Sequence, residues 1–163
     1  MDKTLLPTTN ADGLPIIPMN EEQKYIFDLK GWITLPGLLD EEQLDTIRTH
    51  QMKFLYERDS LPLEEQDNHG GPSQILLDHP EVVGVLNEIL SHQGLATEDC
   101  YGFRFDHTYT SHRQTGHDRF NPHGGGGYFN FSGNSHIYQM QMGRIHAGLT
   151  RVVWELNEVE EGD

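Results

Sequence analysis

The hydrophobic period of this chain changes at Gly94, and that change limits which elements can stand on either side of it. Before Gly94 apolar residues return at the helical spacing of about 3.6; after it they alternate with polar ones, as in strands. In "MNEEQKYIFDLKG", Asn20 stands three residues ahead of Gln23, the spacing of a capping box, and Gly31 occupies a helix C-cap position. A short helix is therefore expected from about Glu21 to Lys30. "WITLPG" reads as a brief β run stopped by Pro36 and Gly37. "DEEQLDTIRTHQMKFLYERD" restarts a helix, with Asp40 as N-cap, Gln43 at N3, and Leu44, Ile47, Phe54 and Leu55 on its inner face. "DHPEVVGVLNEILSHQG" gives a third, with Asp78 as cap, Pro80 early, and Val82, Leu86, Ile89 and Leu90 on one side. Between them, the acidic stretch from Glu57 to Gly71, broken by Pro62, reads as a surface loop without chemistry.

Beyond Gly94, "CYGFRFDH" alternates Tyr101, Phe103 and Phe105 with Gly102, Arg104 and Asp106, the pattern of a half-buried strand with a polar face. "SHIYQMQ" and "AGLTRVVWELNEV" are further strand candidates, the second placing Thr150, Val152, Trp154 and Leu156 together. The expected fold class is α+β, helices first and strands second. A length of 163 residues suits one domain, and 35% apolar composition suits a modest core. Residues 1–19, punctuated by prolines and lacking an uninterrupted apolar run, read as a flexible arm rather than a signal peptide.

Charge excludes partners more firmly than it suggests them. Eleven Lys and Arg against 26 Asp and Glu leave a net −15, which argues against nucleic acid or an anionic membrane. The single cysteine, Cys100, cannot form an intramolecular disulfide, so a cytoplasmic setting is expected. Lying in an aromatic run without a basic neighbour, it reads as a buried structural thiol. No Gly-x-Ser-x-Gly elbow is present, and no Gly-Lys-Ser/Thr follows "HGGGG", which removes serine-hydrolase and phosphate-loop readings.

The remaining chemistry gathers around histidine. "RFNPHGGGGYFNF" sets His123 before four glycines. A neutral imidazole there is either a transition-metal ligand with space cleared around it or a solvated residue of a glycine-rich hairpin. His107, His112, His117 and His123 fit neither one helix face nor a usual zinc-finger spacing, so structural zinc is disfavoured.

Taken together and in order, these segments resemble the phytanoyl-CoA dioxygenase family. "YIFDLKGWITLPGLLDEEQLDTIR" is similar to its N-terminal signature and "DHPEVVGVLNEIL" to its next helix; "FRFDH", "NPHGGGGYFNF" and "GLTRVVWELNEVEEGD" resemble strands of its catalytic core. The resemblance runs from about Asn20 to Asp163. It implies part of a double-stranded β-helix, a jelly-roll or cupin-like barrel. It also implies Fe(II) held by two histidines and a carboxylate, 2-oxoglutarate as cosubstrate, and hydroxylation of a small organic substrate. Such a triad leaves positions open for the keto acid and dioxygen.

By that resemblance His123 is an iron ligand. Where the family has His-x-Asp, this chain reads His123, Gly124, Gly125. Either water or a halide fills the open position, as in related halogenases, or a carboxylate comes from elsewhere, Asp106 being the nearest candidate. Arg104, on the same strand face as Asp106, would meet an acidic cosubstrate, or the two form only a surface pair. Tyr138 and Gln139 would face the cosubstrate on strand phase alone, and no catalytic residue is assigned. The family's Pro-Gly-Ser-His segment and later basic residue have no match here. Residues 20–163 are therefore expected to be an incomplete domain, inactive alone, that self-associates through an open barrel edge. The alternative is a non-catalytic barrel domain that binds a small acid or a partner chain.

Overall fold

The computed structural model describes residues 6–91, 93–114, 116, 138–142 and 144–159. Among them stand three α-helices, α1 (Glu21–Lys30), α2 (Glu41–Tyr56) and α3 (Pro80–Ile89), and one antiparallel hairpin, β1 (Tyr138–Gln141) and β2 (Arg144–Ala147). The chain divides into two compact units. The first comprises Met1–Ile33, Pro80–Phe105 and His112–Arg151; the second comprises Thr34–His79, Asp106–Ser111 and Val152–Asp163.

In the first unit, α1 begins because its end groups are satisfied locally. The Asn20 side chain accepts from the Gln23 amide at 2.8 Å while Gln23 Oε1 accepts from the Asn20 amide at 2.9 Å. It ends at Gly31, whose φ of 76° is a left-handed conformation that glycine adopts without a Cβ clash. Phe27 is the buried anchor of α1, and it joins Met19, Ile89 and Ala147 in a core flanked by Ile33, Val85, Leu90 and Ile145. Lys24 ties α1 to α3, with Nζ 3.0 Å from Glu21 Oε1 and 3.4 Å from Glu88 Oε2. The Glu21 hydrogen bond, aided by the charge of Glu88 and opposed by burial, holds the Lys24 ammonium above its ordinary pKa.

The segment before α1 packs on α3. Asn10 Oδ1 accepts from the amides of Asp12 and Leu14 at 3.1 and 2.8 Å, closing a turn through Gly13 (φ 77°), and Thr9 bridges Pro15. The chain then crosses α3 at Gly84, where an added Cβ would lie 1.7 Å from the Ile17 carbonyl oxygen. Only a residue without a side chain permits that approach. β2 packs on the same helix. In the hairpin, Tyr138 stands opposite Ala147 and Gln141 opposite Arg144, with Met142 at the turn in the left-handed region (φ 52°).

In the second unit, α2 begins with a second capping box, Asp40 with Gln43, at 2.8 and 3.0 Å. Its Ile47 is fully buried. The chain after α2 makes three 3-10 turns, Arg58–Ser60, Leu63–Glu65 and Gly71–Leu76, the last packed along α2. Arg58 stacks over Phe54 at 5.2 Å and donates to the Gln66 carbonyl.

The expected fold class requires correction. The described residues are predominantly helical, and they contain no barrel, closed or open; the hairpin is their only ladder of more than a single bridge. "WITLPG" is a loop between the Gly31 cap and a turn at Gly37 (φ 71°). The "CYGFRFDH" strand does not form, because Gly102 takes φ 81°, which turns the chain out of the extended region. Residues 148–159 lie outside any ladder. Alternation supplies a strand's two faces but not its neighbours, and a strand without a hydrogen-bonded neighbour is not held extended.

Candidate functional site

The polar groups that the second unit buries are clustered on one side of α2. His50 and Gln51 follow Ile47 by three and four residues, so they share its inward face. Gln51 Nε2 donates to the Asn68 carbonyl at 2.9 Å and to Ser73 Oγ at 2.6 Å, while Gln51 Oε1 accepts from Thr110 Oγ1. Asn68 in turn accepts from the Thr110 amide at 2.9 Å and donates to the Thr108 carbonyl at 3.3 Å. Gln51 and Asn68 thereby fix residues 108–110 against α2. Ser73 is wholly buried, so this network lies in a poorly solvated setting where each bond made matters.

Beside it, His50 is 6% exposed, with Nε2 3.3 Å from Glu65 Oε2. The contact is one of proximity, since neither ring nitrogen has a hydrogen-bond partner. Gly71 backs the pair: at φ 53°, a Cβ there would lie 3.0 Å from both Glu65 Oε2 and His50 Nε2. The arrangement places a buried imidazole against a carboxylate under a backbone turn where an added Cβ would press on both side chains.

The residues expected to bind iron and cosubstrate are not drawn together. His123 lies outside the described residues. Asp106 points its Oδ2 at the adjacent His107, 2.9 Å from Nδ1, and both side chains are at least half exposed. Arg104 and Asp106 lie in a stretch that forms no strand, so the expected common strand face does not exist. Tyr138 and Gln139 have their backbones in β1, where consecutive residues fall on opposite faces, and their side chains lie outside what is described. Among the described residues no three His, Cys, Asp or Glu side chains gather in a way that would hold a metal ion. Cys100 is half-buried, with Sγ accepting from the Gly102 amide at 3.4 Å inside a turn closed by Thr97.

Sequence reasoning does not single out the buried cluster, since it reads the Glu57 to Gly71 loop as lacking chemistry. One signal was present: Gln51 falls on the apolar stripe that runs from Leu44 through Ile47 to Phe54, where a polar residue requires buried partners. No family model, no curated protein and no solved structure matches this chain. Among the described residues no helix is long and apolar enough to cross a membrane.

Proposed function

We propose that the chain is part of an Fe(II)/2-oxoglutarate-dependent dioxygenase that hydroxylates a small organic substrate, with His123 as an iron ligand. The supporting observation is the helix framework. "YIFDLKGWITLPGLLDEEQLDTIR", the segment with the most extended resemblance, forms helix α1, the Gly31 cap and the start of α2, and "DHPEVVGVLNEIL" forms α3. The donor set does not fit iron among the described residues, because Asp106 faces His107 and no third donor joins it. No catalytic step is therefore derived through the metal. The acidic charge and the single cysteine support a small-molecule substrate, rather than nucleic acid or membrane, and a cytoplasmic setting.

The test is a metal titration with Mn(II) as a redox-silent stand-in for Fe(II), followed by electron paramagnetic resonance. Binding that tightens with 2-oxoglutarate and is lost in His123→Ala supports the dioxygenase. The second reading, a non-catalytic domain that binds a small acid or a partner chain, is favoured by Gly125 at the usual carboxylate position and by the Asp106 to His107 contact. It expects Mn(II) binding that neither 2-oxoglutarate nor His123→Ala alters.

A further inference from the structure

Residues 14–18 of the first unit read Leu-Pro-Ile-Ile-Pro, and their covalent chemistry favours an extended backbone. The rings of Pro15 and Pro18 hold φ near about −65°, and each restricts the residue before it, Leu14 or Ile17, to the extended region. Burial then follows a period of three. Leu14 (52%) and Ile17 (51%) are exposed, as are Pro15 and Pro18, whereas Ile16 is half-buried and Met19 lies in the core. Residues 16 and 19 thus form an inner edge, and 14 with 17 and 15 with 18 form two outer ones. That period belongs to a polyproline II helix, since a strand alternates every second residue. The segment is also held in place: the Ile17 amide donates to the Pro80 carbonyl at 3.3 Å, the Ile16 amide donates to the Thr8 carbonyl at 2.9 Å, and the Ile17 carbonyl crosses α3 at Gly84.

We propose that residues 14–18 are a docking segment for a proline-recognition domain of another protein, with a groove lined by aromatic rings and rimmed by Lys or Arg. Leu14 with Pro15 and Ile17 with Pro18 make two apolar-Pro pairs one turn apart, the unit that aromatic-lined grooves take up between their rings. Because the segment already stands in the form such a groove reads, docking orders little of this chain. Charge selects the rim. No Lys or Arg lies between Lys3 and Lys24, while Asp12 precedes the segment and Glu21 and Glu22 follow it. A basic rim complements those carboxylates and an acidic one is repelled by them. A second copy of this chain, itself at net −15, does not supply a basic surface of that kind. The proposal concerns a face of the first unit alone and holds whichever reading of His123 is correct.

Isothermal titration of the full chain against purified SH3 domains, which read Pro-x-x-Pro segments in aromatic grooves, tests the proposal. Two sets serve as probes, one with a basic rim beside the groove and one with an acidic rim. The basic set should bind with a micromolar Kd and the acidic set far more weakly. Pro15→Ala and Pro18→Ala should each weaken binding to the basic set by roughly tenfold. Leu63→Ala, at an exposed apolar residue outside the segment, should leave it unchanged. Asp12→Lys should move the preference to the acidic set by roughly tenfold or more, a gain that a misfolded chain does not give. The Asp12 contact to Asn10 is made by its backbone amide, so the turn survives that change. The proposal is overturned if no basic-rimmed domain binds, if both proline variants bind as the parent does, or if Asp12→Lys leaves the preference where it was.

Discussion

Gln51 shows how much one side chain can carry: through its two amide atoms it meets Asn68, Ser73 and Thr110. Replacement by leucine keeps the volume and strands the Ser73 hydroxyl and the Asn68 carbonyl, at about 1–3 kcal/mol for each buried group left unpaired. Gln51→Leu should therefore lower the urea midpoint by the equivalent of about 2–3 kcal/mol with an unchanged m value. Gly71 makes a second test. Alanine there must adopt φ 53° and push its Cβ to 3.0 Å from Glu65 and His50, so Gly71→Ala should destabilise by at least about 1–2 kcal/mol. A variant as stable as the parent would mean that residue 71 does not hold its positive φ in solution. Neither residue stands out in the sequence, because what makes each one matter is its neighbours in space.

At the scale of elements, the helices were legible and most of the strands were not. Asn20 with Gln23 and Asp40 with Gln43 close hydrogen bonds three residues apart, so the sequence window that predicts each helix contains what starts it. A strand depends on a partner far along the chain, and alternation at Tyr101, Phe103 and Phe105 said nothing of the positive φ at Gly102. Two element-level outcomes follow. Asp40→Ala removes an amide acceptor at the start of α2 and should cost about 1 kcal/mol in thermal or urea unfolding. Gly84→Ala would normally favour a helix by nearly 1 kcal/mol. Here the crossing at the Ile17 carbonyl reverses that sign, so the melting temperature should fall. Lys24 adds a pH dependence. Its folded-state pKa is raised, so its stabilisation of the α1 to α3 contact is fully present below the unfolded value of about 10.4 and is lost as pH climbs past the folded value. Comparing Lys24→Met with the parent across that alkaline range isolates the effect, which for a partly exposed pair is about 0.2–1 kcal/mol.

For the whole molecule, a net −15 spread over 163 residues means long-range self-repulsion. Screening shortens the reach of that repulsion to about 8 Å at physiological ionic strength. Raising sodium chloride from low concentration to that level should raise the melting temperature, and a flat or falling trend would show that attractive pairs dominate instead. The helical half of the fold class was readable at this scale, whereas the barrel came from resemblance and is absent from the described residues. The candidate site divides in the same way. His123 stood out for its chemistry in a glycine run, while His50 and Glu65 became visible only through the fold.

The two tryptophans fall one to a unit in their surroundings. Trp154 lies edge-on to His79 in the second, and Trp32, just after α1 in the first, sits beneath the Lys30 ammonium at 5.1 Å. Trp154 emission is therefore expected to respond to the loss of its ring contact with His79, and Trp32 emission to the release of an ammonium when α1 frays. Paired Trp→Phe variants would turn the chain's own fluorescence into two separate optical channels, one following the end of α1 and the other the seating of the 152–159 segment.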